Sequence, residues 1–258
     1  MTEKSGESAR DPAGLIAWAW RNRPELWLLG GVFLAGLLFL VFGQIAEEVF
    51  EGDTTWFDRA VLLALRNPAD HADPLGPAWL EEAARDVTAL GSYSVLGIVV
   101  VAATAYLLLV KRSGAALWVL ASVLGGMLLS NVLKHSFARP RPDLVAHAAQ
   151  VFSPSFPSGH AMLSAVAYLT IGALLASMHD SRRLKVFFLG LAIFITVIVG
   201  LTRVYLGVHY PTDVLAGWCL GAAWAAICWT VFHWLQRRGT VRPAAHDALD
   251  EGDRTNGG

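Results

Sequence analysis

Three short polar blocks in this chain hold the residue types that phosphate chemistry requires. The first runs from Lys134 through Arg139-Pro140 to Arg141-Pro142, the second is Pro157-Ser158-Gly159-His160, and the third is Thr202-Arg203 followed by His209 and Asp213. Four cationic groups, Lys134, Arg139, Arg141 and Arg203, converging on one point would make a site for a dense anion, phosphate above all. In the second block Ser158 suits the N-cap of a helix and Gly159 permits close backbone approach, so the free N–H groups of that first turn would face the anion together with the positive end of the helix dipole. His160, on the same turn, is placed to donate a proton to a leaving group. His209 and Asp213 are four apart around Pro211, which suits the first turn of a helix. The carboxylate can then fix the imidazole tautomer and leave an oriented, neutral nucleophile. Each feature alone has a plainer reading: basic residues at helix ends snorkel to headgroups, a lone histidine caps or sits at an interface, and a His–Asp pair at this spacing is common on helices.

The elements that must position these blocks are apolar. Hydrophobic residues make up 55% of the 258, charged ones only 16%, and the mean hydropathy is +0.47, which marks a membrane protein. A net charge of -1 without a pooled basic face gives no reason to expect nucleic acid. Apolar runs of bilayer length cover residues 26–46, 93–110, 114–133, 160–178, 184–200 and 211–234. The first is too long for the apolar core of a signal peptide. The expected fold is therefore all-α: a polytopic bundle of six transmembrane helices, with the polar blocks at helix ends. Residues 1–25 read as a cytoplasmic tail, 26–236 as the membrane domain, and 237–258 as a polar tail without structure.

Basic residues flank the first span and fall at Lys111 and Arg112, at Arg182, Arg183 and Lys185, and at Arg237, Arg238 and Arg242, all on one side. Glu47, Glu48, Glu51, Asp53, Glu81 and Glu82 lie on the other. The positive-inside rule puts both termini in the cytoplasm and the three blocks on the outer face. Residues 47–90 form an outer segment with two amphipathic helical patterns. In the first, 56–66, Thr55 with Asp58 resembles a capping box and Phe57, Val61 and Leu65 form an apolar stripe, fit for lipid or for packing as a lid. The second, 78–90, leads into the next span. Small residues at four-residue spacing (Gly31 and Ala35; Ser122, Gly126 and Ser130; Gly217 and Gly221) predict close helix packing. Cys219 and Cys228 lie on roughly opposite faces of one helix and read as packing residues.

Taken in order, the blocks resemble the three-part signature of the type 2 phosphatidic acid phosphatase (PAP2) superfamily: Lys, six residues, Arg-Pro; Pro-Ser-Gly-His; and Ser-Arg, five residues, His, three residues, Asp. Thr202 stands where that pattern has Ser, and the hydroxyl is kept. The resemblance covers roughly the C-terminal two-thirds of the chain. It implies a hydrolase, a lipid phosphatase working without metal or other cofactor, in the plasma (inner) membrane of a bacterium. Its substrate would be phosphatidic acid, phosphatidylglycerophosphate or undecaprenyl diphosphate. It further implies that His209 attacks phosphorus to form a phosphohistidine, Asp213 orients His209, and His160 protonates the leaving oxygen. Lys134, Arg141, Ser158, Gly159 and Arg203 would hold the phosphoryl oxygens, and Arg139 would be a secondary headgroup contact. Two other classes fit less well: a vanadium-haloperoxidase-like enzyme, which shares the signature but is typically soluble, and a six-span transporter or structural protein, which leaves the three blocks without a purpose. No His, Cys or carboxylate cluster has metal-ligand spacing, and oligomeric state is not written in the sequence.

Overall fold

The computed structural model describes residues 23–143 and 154–238; the two expected tails fall largely outside them. A long helix α1 (Arg23–Glu51) ends at Gly52, whose φ of 87° reverses the chain into the short α2 (Thr55–Ala64). A two-stranded antiparallel hairpin follows, β1 (Arg66–Asn67) and β2 (Asp70–Pro74), with Arg66 opposite Pro74 and Asn67 opposite Asp70. Then come α3 (Ala78–Ala89), α4 (Tyr93–Leu109), α5 (Ser113–Phe137), α6 (Gly159–Ser177), α7 (Arg182–Tyr205) and α8 (Pro211–Arg237). Among the described residues five helices are long and apolar enough to cross a membrane, and six spans result if the α3–α4 pair, bent by 47°, is counted as one. Each of the six expected spans falls on a helix, the second of them on α4. The bend falls where Ser92 caps α4 by accepting a hydrogen bond from the N–H of Val95 at 3.3 Å.

α6 is the axis of the bundle: 67% of its apolar window is buried, against 6% for that of α1. α7, α8 and α5 pack around it, while α1 lies along α8 and turns most of its surface outward. Large side chains such as Phe33, Leu40, Ile98, Leu117, Leu128 and Val186 face outward round the circumference, as hydrocarbon rather than water requires. The main core runs along the bundle, from Leu96 and Leu163 near the polar blocks through Val123 and Val166 to Trp118, Val119 and Phe232 toward the other end. Nearer the polar blocks, Ala46, Phe156 and Ala216 pack with Phe42 and Phe137.

Small residues fulfil the packing expectation. Ala35, Ser122, Gly126, Ser130, Gly217 and Gly221 are all buried. A Cβ on Gly217 would come 2.7 Å from the carbonyl oxygen of Ser158, so α8 can meet the first turn of α6 only with glycine there. Indole N–H groups tie the helices laterally: Trp118 donates to the Cys228 carbonyl at 2.9 Å, Trp224 to the Ser122 carbonyl at 2.8 Å, and Trp218 to the Thr196 carbonyl at 3.0 Å.

The outer segment departs from its expected pattern in two ways. No side chain caps α2: the Thr55 hydroxyl bonds the Gly52 carbonyl at 2.6 Å, and Asp58 points into the protein. The buried stripe is rotated by one residue from the expected one, running through Asp58 and Leu62, while Phe57 is 38% exposed. α2 also stops at Ala64, because Arg66 is drawn inward to donate to the Tyr205 carbonyl at 2.7 Å, a cation at the C-terminal end of α7.

Candidate active site

Each block is placed by a helix end. α5 terminates at Phe137, Ala138 takes the left-handed conformation (φ 45°) as its C-cap, and the Arg-Pro repeats that follow cannot continue the helix. Lys134 therefore sits on the last turn of α5. Its side chain lies against Gly159, where an added Cβ would be 3.3 Å from both Cε and Nζ. Ser155 binds the first block to the second, its N–H donating to the Arg139 carbonyl at 2.9 Å and its hydroxyl to the Pro140 carbonyl at 3.0 Å.

Ser158 occupies the N-cap position of α6, as expected, but its hydroxyl makes no capping bond; buried, it has no hydrogen-bond partner among the described residues. Its N–H donates to the Asp213 carbonyl at 2.9 Å, joining the second block to the third. His160 follows on the first turn of α6, within electrostatic range of Arg203, His209, Lys134 and Arg141. Arg203, on the last turn of α7, donates to the Thr88 hydroxyl at 3.1 Å, while its Nε is buried without a hydrogen-bond partner among the described residues. Thr202 is buried and bonds the Val199 carbonyl at 2.7 Å within its own helix.

His209 lies in the connection between α7 and α8, fully buried, with Nδ1 3.3 Å from Oδ2 of Asp213 and Nε2 3.3 Å from Nη1 of Arg141. The arrangement fits one tautomer, in which Nδ1–H donates to the carboxylate and the Nε2 lone pair faces the arginine. Burial lowers the His209 pKa to about 4, against the opposing pull of Asp213, so the ring is neutral at ordinary pH. Asp213 stands on the first turn of α8, where Oδ2 also accepts the Tyr210 N–H at 2.9 Å. Burial lowers the pKa of Arg141, Asp213 partly offsetting it, and its Nη1 also donates to the Val208 carbonyl at 2.9 Å.

Arg139, expected as a secondary headgroup contact, is engaged inside the protein. Its guanidinium reaches inward, donating to Asp213 Oδ1 at 2.6 Å, to the Thr212 hydroxyl at 2.9 Å and to Asp58 Oδ2 at 2.7 Å, over the Tyr210 ring at 4.2 Å. Burial opposes its charge, but Asp213 and Asp58 outweigh this and hold its pKa above the ordinary value. Asp58, wholly buried, also accepts the Thr212 N–H at 3.0 Å and the Thr212 hydroxyl at 2.7 Å. Reasoning from sequence missed Asp58, Thr88 and Thr212. The one available signal was that Asp58 stands four before Leu62, on the face that becomes buried.

Residues 115–237 match the profile of the PAP2 superfamily. Phosphatidylglycerophosphatase B of Bacillus subtilis (strain 168) is 34% identical over 189 residues, which cover 71% of this chain and 87% of that relative. The chain belongs to the PAP2 superfamily. It is thus a membrane lipid phosphate phosphatase, a hydrolase. The crystal structure of a transmembrane PAP2 type phosphatidylglycerolphosphate phosphatase from Bacillus subtilis superposes with a TM-score of 0.70 at 31% identity, covering 80% of this chain and 98% of that one. An undecaprenyl-diphosphatase of Sulfolobus acidocaldarius is 34% identical over 125 residues, 46% of this chain and 56% of that relative. The profile begins within α5, so the PAP2 match holds all three blocks but neither Asp58 nor Thr88.

Proposed function

We propose that this PAP2 protein removes a phosphoryl group from a membrane lipid at the outer face of the membrane, through a phosphohistidine on His209. The observation that carries the reading is the geometry of His209, whose Nδ1 faces Asp213 at 3.3 Å and whose Nε2 faces the cationic cluster. Nε2 attacks phosphorus, the bond from phosphorus to the lipid oxygen breaks, and His160 gives that oxygen its proton. Water then attacks the phosphohistidine, its proton passing back to His160 as the P–N bond breaks, which frees inorganic phosphate and returns neutral His209. Lys134, Arg141 and Arg203, with the Ser158 hydroxyl and the Gly159 N–H, hold the three equatorial oxygens, where charge gathers in the transition state. With cations meeting that charge, the chemistry needs no metal.

The substrate is a lipid phosphate: phosphatidylglycerophosphate, phosphatidic acid or undecaprenyl diphosphate. Phosphatidylglycerophosphate stands first, because the relative matched over 87% of its length bears that substrate's name. The acyl chain would descend among the helices from a phosphate at their outer ends. The placement of the basic residues supports the outer location. Lys111 and Arg112, Arg182, Arg183 and Lys185, and Arg237 and Arg238 all lie at helix ends opposite those bearing the blocks, and such charges belong in the cytoplasm.

The test is phosphate release by the purified protein in detergent from a panel of these lipids and of short-chain analogues, with chelator present. Turnover should survive the chelator and fall with chain length. His209→Ala should abolish it, and Asp213→Asn should lower it by roughly 10²-fold or more. Near-normal release by His209→Ala would remove the nucleophile assignment.

A further inference from the structure

Asp58 lies outside the three blocks and Arg139 is none of the signature's fixed residues, yet they close a buried chain of charges that ends on His209. Arg139 spreads its fork between two carboxylates, Nη2 to Asp58 at 2.7 Å and Nη1 to Asp213 at 2.6 Å, with the Thr212 hydroxyl bonded to both Asp58 and Arg139. Asp213 spends its other oxygen on His209 and on the Tyr210 N–H. We infer that Asp58 and Arg139 are positioning residues for the phosphatase reaction, a clamp in which Asp58 takes up part of the Arg139 charge so that Asp213 keeps enough of its own to hold His209. The inference rests on the assignment of His209 as nucleophile.

The physical argument is one of sharing. A carboxylate paired with a single guanidinium in a dry site is largely neutralised and becomes a weak acceptor for anything else. Here one cation faces two carboxylates, so the group carries a net negative charge, and His209 is the ring on which that charge acts. The clamp also fixes position. Asp58 grips the first turn of α8 through both the N–H and the hydroxyl of Thr212, one residue before Asp213, and Leu62 on the same face of α2 packs with Ala161, Val204 and Val214. A purely structural ion pair would be a poor use of three buried charges, since taking them out of water offsets most of their attraction.

Other groups facing His209 are Arg141 from the α5–α6 connection, Arg203 from α7 and His160 from α6, with Lys134 of α5 close by. All are unchanged in the variants that test the clamp, so opposite movements of one titration report the clamp itself. Neutralising Asp58 leaves Arg139 wholly on Asp213 and disfavours the imidazolium. Neutralising Arg139 leaves two carboxylates unscreened and favours it.

The experiment is kcat and KM against pH for the full-length protein in detergent, on whichever lipid of the panel it turns over fastest. Asp58→Asn should lower kcat by roughly tenfold to a hundredfold, with KM within about threefold, and move the acid limb of the kcat profile to lower pH. Arg139→Gln should move that limb to higher pH, and the double variant should bring it back toward wild type. Limbs that stay put, or move the same way in both single variants, would overturn the clamp. If Asp58→Asn does not yield monodisperse protein, Arg139→Lys decides: it keeps the charge but loses the fork, so a lowered kcat with an unmoved limb supports positioning and a wild-type kcat refutes it. His209→Ala run alongside separates the two readings. Retained turnover there defeats the nucleophile assignment, whereas lost turnover there with unmoved limbs in the clamp variants defeats the clamp alone.

Discussion

A Cβ added at Gly159 would come 3.3 Å from the Lys134 ammonium, close enough that one of them must give. Lysine is flexible, so Gly159→Ala should leave the unfolding temperature in detergent nearly unchanged and displace only the ammonium. The expected result is a kcat/KM lowered by about tenfold or more, equivalent to roughly one charge-assisted hydrogen bond. As the proposed nucleophile, His209 should set the pH dependence. With burial lowering its pKa to about 4, the ring is neutral and nucleophilic above that pH, and protonation of Nε2 below it blocks attack. Activity should therefore fall as pH drops through about 4, a limb that must vanish from the profile of a phosphatase whose nucleophile is some other group. At this scale the sequence was legible where spacing carries the chemistry, as with His209 and Asp213, four apart across the start of α8. It was illegible for Arg139, because an exposed and a buried arginine are spelled alike, and only the fold brings Asp58 to it across 81 residues.

Helix ends are where elements turn into chemistry here: the C-termini of α5 and α7 and the N-termini of α6 and α8 meet at one level. That level is held by lateral bonds as well as by packing. Trp218 joins α8 to α7 just below the site by donating to the Thr196 carbonyl at 3.0 Å, and its ring lies against Gly200. Trp218→Phe keeps most of the ring and removes the donor. It should cost about 0.6–2 kcal/mol of stability, read as a lower unfolding temperature in detergent, with activity lost in proportion to unfolded protein only. Unaltered stability would show that the indole bond adds nothing to the packing. The spans themselves were readable because hydrocarbon demands about twenty apolar residues in a row. The hairpin and the true face of α2 were not, because residues 55–74 take their conformation from partners in α7 and α8 rather than from their own periodicity.

As a whole the molecule is polarised, with the polar blocks at one end and the basic turns at the other. Its orientation is open to chemical labelling. Cysteine introduced for His71, exposed on β2, should react with an impermeant reagent in intact cells, and cysteine for Lys111, exposed between α4 and α5, only after permeabilisation. The reverse pattern would put the site in the cytoplasm. Ser155 is no use for this purpose, being fully buried between the first two blocks. Asp58 has a consequence for building chimeras. It lies upstream of residues 115–237 but holds Thr212 and Arg139 inside them. Segments are exchangeable only along seams that few contacts cross, and this seam is crossed at the site itself. A graft of a relative's outer segment onto this core would have to bring an acid at position 58 with it, or reshape the start of α8 to do without one.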